Sequence, residues 1–311
     1  QGHWQSQTRF FFLGFTHYPK AKIIIFVLSL LIYLITLPGN IILISVSILD
    51  SHLHSPMYFF LSSLSFLDIW YTSSALTPVV ARFVTGKNST SFSGCTAQVY
   101  FSLVVGSTKC VLLSMMAYDR YVAICNPLRY PIIMNRRVFA HIASSWVMGC
   151  LIALVETMSV LQLSLCGNNI INLFTSEILA ALKLVCVDTM AWLIMLMISI
   201  LLLPMPMLLI WSSYAFILSN TLRISKAFST CAAHLTVVVL FYGTALSTYL
   251  KTSAVDSKET DKFVVWFFFL YAGLTPMLNT IVYSLWNEVK GAARKLLIRN
   301  PFGTILVSIL K

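Results

Sequence analysis

The chain has 311 residues, of which 58% are apolar and only 10% charged. A soluble protein normally carries about 25% charged residues, so this composition excludes a soluble fold. The net charge of +11 does not point to nucleic acid either, because the cations are dispersed along the chain rather than gathered into a basic patch. Long uncharged runs recur over the whole length, which predicts an all-α, polytopic membrane protein. Barrel strands would give alternating segments of about ten residues, and none are seen.

In chain order, residues 1–21 form a polar, phenylalanine-rich N-terminus expected outside the cell. Seven spans follow, at residues 22–49, 56–84, 95–125, 138–161, 189–222, 226–250 and 262–285. Each reaches the roughly 20 residues needed to cross the hydrocarbon. Residues 22–285 are therefore expected to form a seven-helix transmembrane bundle. Placing the N-terminus outside puts eleven Lys and Arg inside and nine outside, a weak positive-inside bias.

The first inter-span loop on the outside holds the sequon Asn88-Ser89-Thr90, a candidate for glycosylation. The third span opens near Cys95 and ends at Asp119, Arg120 and Tyr121. Charge is expensive there, and an acid–base pair at a membrane boundary can act as a lock that another protein opens. Cys95, Cys166 and Cys186 would face the oxidising exterior and are the disulfide candidates. The spans carry prolines at Pro38, Pro78, Pro204, Pro206 and Pro276, each expected to kink its helix. The sixth span has none, so its flexible point would be Gly243, beside Tyr242. Residues 286–311 read as a cytoplasmic tail. Val289, Ala292, Ala293, Leu296 and Leu297 share one helical face, and Lys290, Arg294, Lys295 and Arg299 point elsewhere, as in a helix lying on an anionic leaflet.

Five motifs occur in order at the expected spans: LHSPMYFFLSSLSFLD from Leu53, MAYDRYVAICNPLRY from Met116, Ser213-Tyr214, KAFSTCAAHL from Lys226 and PMLNTIVYSL from Pro276. Together they resemble the olfactory (odorant) receptors, a branch of the rhodopsin-like G-protein-coupled receptors, over nearly the whole chain. The absence of a sixth-span proline and the Phe241-Tyr242-Gly243 triplet fit that branch, and its tetrapod-type subgroup. The resemblance implies a plasma-membrane, multi-pass receptor that binds an odorant in the outer half of the bundle. Its partner would be a heterotrimeric G protein of the stimulatory (olfactory) type, raising cyclic AMP. Arg120 would pair with Asp119 at rest and meet the G protein when active, aided by Tyr121, Tyr214, His234, Asn279 and Tyr283. No cofactor, metal cluster or catalytic constellation is expected.

The expected ligand site combines Phe101, Ser102, Leu103, Gly106 and Ser107 on the third span with Met195, Ile198, Ser199 and Leu202 on the fifth and Tyr242 and Ser247 on the sixth. The third-span set holds no acid for an amine, so a small, neutral, mostly apolar volatile ligand is expected, held by area burial.

Four departures from the family pattern stand out. Lys109 occupies a position where the family usually has an acid, which with Asp68 would form a polar, sodium-binding site; Asn40 belongs to the same expected site. A cation there is expected to pair with Asp68 and leave no room for sodium. Ser176 replaces a loop cysteine, so the three outer cysteines can make only one bridge: Cys166–Cys186 within the loop or Cys95–Cys186 to the third span. Thr280 replaces the seventh-span proline between Asn279 and Tyr283, and residues 222–226 make a short third inside loop. These changes keep a decayed, nonsignalling receptor as one alternative. A transporter or channel is the other, since Asp68, Lys109 and Glu156 are intramembrane charges, but three scattered charges make no conducting path. A retinal protein needs a lysine in the last span, and residues 263–285 contain none.

Overall fold

The computed structural model describes residues 9–12, 19–50, 54–85, 89–134, 137–162, 170–171, 197–198, 201, 203–220, 231–232, 234–243, 245 and 275–284. Its helices are α1 (Pro19–Leu49), α2 (Pro56–Thr85), α3 (Phe92–Cys125), the short α4 (Tyr130–Met134), α5 (Val138–Gln162), α6 (Pro204–Asn220), α7 (His234–Gly243) and α8 (Thr275–Ser284). Proline stands at the head of several of them. Pro19 and Pro56 begin α1 and α2, where the missing N–H would have had no intrahelical partner and the fixed φ already suits a helix. Pro204 and Pro206 likewise fall in the first turn of α6. Pro38 lies deep inside α1 and Pro78 inside α2, as expected.

Among the described residues, three helices are long and apolar enough to cross a membrane: Phe26–Leu49, Thr96–Cys125 and Val138–Ser159. They differ in burial. Half of the apolar window in α3 is inside the protein, against 22% in α1 and in α5, so α3 is the central helix and the other two form the rim. The rim faces outward with bare hydrocarbon: Ile24, Leu31, Leu34 and Ile35 on α1, and Val147, Leu151, Leu154 and Met158 on α5, are all exposed. Apolar surface on that scale requires lipid around it. α2 is less apolar, with serines and Asp68 along its length, and is largely enclosed by its neighbours.

The core forms where α2, α3 and α7 converge. Leu64 and Leu67, Val105, Leu112, Leu113 and Met116, and Val238 and Phe241 are almost wholly buried there. Serines inside the bundle donate to the carbonyl one turn back, as Ser47 does to Leu43 (2.7 Å), Ser62 to Tyr58 (2.9 Å) and Ser114 to Cys110 (3.0 Å). Such back-bonding makes hydroxyls tolerable in a medium without water.

α5 runs antiparallel to α3. The rings of His141 and Tyr118 stand 6.5 Å apart at one end, and further along Gly149 packs onto Thr108. A methyl group on Gly149 would meet the Thr108 backbone nitrogen at 2.9 Å, so only glycine permits this approach. Trp146 ties the pair to α2: its indole donates to Ser63 Oγ (3.2 Å) and stacks on Trp70. Gly243, by contrast, has open space where a side chain would be, so packing does not demand glycine there.

A small sheet joins three segments outside the helices. β1 (Arg9–Phe12) pairs antiparallel with β2 (Ser89–Ser91) and parallel with β3 (Ile170–Ile171), giving the order β2-β1-β3. It links the N-terminal segment to the connection between α2 and α3 and to the one after α5, all at the end of the bundle opposite Arg120.

Candidate functional site

Three groups of buried polar side chains run through the bundle. The first lies at the foot of α3. Neighbours in a helix do not face each other, so Arg120 reaches Asp119 only by folding its long side chain back. Nη2 and Nε then both donate to Asp119 Oδ2, at 2.5 and 3.1 Å. The second carboxylate oxygen accepts from the Tyr130 hydroxyl at 2.9 Å. Tyr130 is brought there by the tight turn after α3, in which the backbone N–H groups of Arg129 and Tyr130 both bond the Asn126 carbonyl. Burial, reinforced by the adjacent Asp119 carboxylate, pushes the Tyr130 phenol above its ordinary value and keeps it a donor. Asp119 is thus fully buried with both oxygens used. Tyr130 was not among the residues picked out from sequence, although it closes the same fifteen-residue motif.

The second group lies beside it. The Tyr214 hydroxyl on α6 and His234 Nδ1 on α7 are 2.6 Å apart, with both side chains buried. Arg120 is within electrostatic reach of both. Tyr121 packs edge-on against Phe216 of α6, 6.2 Å between centroids. The foot of α3 is therefore bracketed by α4, α6 and α7.

The third group sits at mid-bundle. Lys109 Nζ stands 2.5 Å from Asp68 Oδ1, with the two side chains 5% and 0% exposed. Asn279 on α8 donates from Nδ2 to Asp68 Oδ2 at 2.9 Å, and the Tyr71 ring lies 5.3 Å from the ammonium. α2, α3 and α8 are joined through one carboxylate. Asn279, assigned from sequence to the activation set, is bonded to this polar site. Asn40, assigned to the polar site, donates to the Thr36 carbonyl of its own helix at 2.9 Å. At the same level of α3, the Tyr242 hydroxyl donates to the Cys110 carbonyl at 3.3 Å and pins α7 to α3.

Among the expected ligand residues, Ser102, Leu103 and Gly106 are half-buried on α3 and Ser107 is buried. Tyr242 is buried, and Ile198 is half-buried in a short described helical piece. Phe101 is set apart. It is 41% exposed and packs on Trp70 at 5.5 Å, so it faces α2 and the outer surface. Met195, Ser199, Leu202, Ser247, Asn88, Cys166, Ser176 and Cys186 lie outside the described residues, as do the side chains of Cys95, Thr280 and Tyr283 and the tail from residue 285. Cys110, Cys125, Cys150 and Cys231 are free thiols. Among the described residues no cluster of metal-ligating side chains occurs.

Apolar rim helices around a polar, interlocked axis define a multi-pass helical membrane protein. A family model described as "Olfactory receptor" matches residues 29–300. Similar curated proteins include human olfactory receptor 13F1, 69% identical over 99% of both chains, and human olfactory receptor 2K2, 56% identical over 93% of both. Human olfactory receptor 13D1 is 50% identical over 96% of this chain and 88% of its own. The chain belongs to the olfactory receptor family. It is accordingly a rhodopsin-like, seven-helix G-protein-coupled receptor of the plasma membrane, a signalling protein and not an enzyme.

Proposed function

We propose that this receptor binds a small, mostly apolar volatile molecule in the half of the bundle nearest the β2-β1-β3 sheet. Binding there activates a heterotrimeric G protein of the stimulatory type at the opposite end. In this reading the N-terminus, the sheet and Asn88 face the outside, and residues 286–311 lie against the cytoplasmic leaflet. Ser102, Leu103, Gly106, Ser107, Ile198 and Tyr242 line the ligand site, with Met195, Ser199, Leu202 and Ser247 completing it. Burial of apolar area supplies most of the affinity.

The observation that carries this reading is the closed set of contacts at the foot of α3. Asp119 holds Arg120 and is itself held by Tyr130, while Tyr214 and His234 bond each other alongside. Such a foot is a resting lock: Arg120 is withheld from an incoming partner until α6 and α7 move relative to α3. The ligand level is coupled to it through Tyr242, which bridges α7 to α3 above. The Asp68–Lys109–Asn279 cluster takes the place of a sodium site, because the ammonium already neutralises the carboxylate. That neutralisation also counts against a decayed receptor, since the departure at Lys109 leaves no bare buried charge.

The test is a cyclic AMP assay over an odorant panel, with Arg120→Ala at matched surface density as control. Odorant-dependent signals from the parent that vanish in Arg120→Ala are expected. Signals indifferent to Arg120 would overturn the reading.

A further inference from the structure

One buried acid takes no part in the three groups described. Ser145, Gly149, Ala153 and Glu156 recur on α5 at helical spacing, and all four are buried. This stripe faces α3, since Gly149 packs onto Thr108, while Val147, Leu151, Leu154 and Met158 face outward. The antiparallel register set by His141 beside Tyr118 and Gly149 on Thr108 continues along α5. Seven residues beyond Gly149, about 10 Å further along the axis, Glu156 comes level with about residue 101 of α3. That is the level of the proposed ligand site.

Glu156 is only 5% exposed, and its Oε2 has no hydrogen-bond partner among the described residues. The adjacent Thr157 Oγ1 is also buried and unpartnered. Lys109 cannot serve, being held by Asp68. A buried carboxylate without a donor is costly, and natural structures rarely leave one. The expectation of a neutral ligand rested on the third span having no acid; the fourth span supplies one.

We propose that Glu156 anchors the polar end of the ligand, and that the ligands of this receptor are small apolar amines. The protonated nitrogen donates to Glu156 Oε2, which supplies both the missing hydrogen bond and the counter-charge. Thr157 Oγ1 is a second acceptor for the same group. The hydrocarbon body then lies along Leu103 and Gly106. The inference rests on the ligand level proposed above.

The experiment compares straight-chain compounds of one length, a primary amine, the alcohol and the methyl ether, by cyclic AMP concentration–response in cells displaying the parent or Glu156→Gln. A broad odorant panel is run alongside, and surface density is measured by an N-terminal tag. The amine is expected to be the most potent of the three on the parent. Its half-maximal concentration should rise about tenfold or more in Glu156→Gln, the loss of one charge-assisted bond, with the ether changed less than about twofold. An alcohol or ether that outperforms the amine on the parent overturns the inference, as does an amine potency unchanged in Glu156→Gln. Either leaves the receptor reading standing. Silence of the parent to every compound in the broad panel overturns that reading and this inference with it. If Glu156→Gln does not reach the surface, the ranking on the parent decides alone.

Discussion

Replacing Lys109 by Met removes the ammonium and keeps much of the side chain's bulk. At 2.5 Å and an effective dielectric of 20, the pair attracts by about 6–7 kcal/mol. The desolvation of two buried ions, several kcal/mol each, offsets most of this, so the intact pair contributes little net stability. Breaking it is another matter. Lys109→Met strands the Asp68 carboxylate with only the Asn279 amide, at an expected cost of about 3–5 kcal/mol. Asp68→Asn strands the ammonium at a similar cost. The double variant carries no buried charge and should recover most of the loss, so its effect should fall far short of the sum of the two singles. The assay is thermal unfolding of purified receptor in detergent, with and without sodium. The singles should melt well below the parent and the double close to it, and sodium should leave the parent unmoved. Additive losses, or a parent stabilised by sodium, would refute the claim that Lys109 occupies the ion site.

Other outcomes follow from the same contacts. Tyr130→Phe deletes the second donor to Asp119, a charge-assisted bond worth about 1.5–3 kcal/mol, and should raise ligand-independent cyclic AMP several-fold; an unchanged basal level would show that Tyr130 is not part of the lock. Gly149→Ala forces a methyl group onto Thr108 and should lower stability by about 1–3 kcal/mol, read as reduced melting temperature and surface density. An unchanged variant would mean that α3 and α5 do not approach so closely. Tyr214→Phe and His234→Phe each break the α6–α7 bond, so in odorant-stimulated cyclic AMP the double variant should be no worse than the poorer single. Independent, multiplying defects would contradict the pairing.

The elements with long uncharged runs were legible from sequence because length and hydropathy decide them. α1, α2, α3 and α5 begin and end within three residues of the expected spans. The described helices α6, α7 and α8 fall inside the remaining three. The β2-β1-β3 sheet was not legible: strands of two to four residues in connecting segments have no periodicity to read, and their pairing is entirely non-local. The direction of individual side chains was hidden in the same way. Asp119 and Arg120 were visible as neighbours, but Tyr130 joins them only through the turn held by Asn126. Asn279 reaches Asp68 across 211 positions of sequence. Glu156 was visible as an intramembrane charge, yet its level opposite α3 depends on the register that Gly149 sets.

The central claim is that Asp119 holds Arg120 in a resting lock that odorant binding releases. Ligand-independent cyclic AMP in Asp119→Asn, at surface density matched to the parent, tests it most directly. The exchange keeps the shape of the side chain and removes the charge that binds Arg120. A basal signal several-fold above the parent is expected, with the odorant response retained on top of it. A basal signal at or below the parent's, in a receptor that still answers odorant, would contradict the lock.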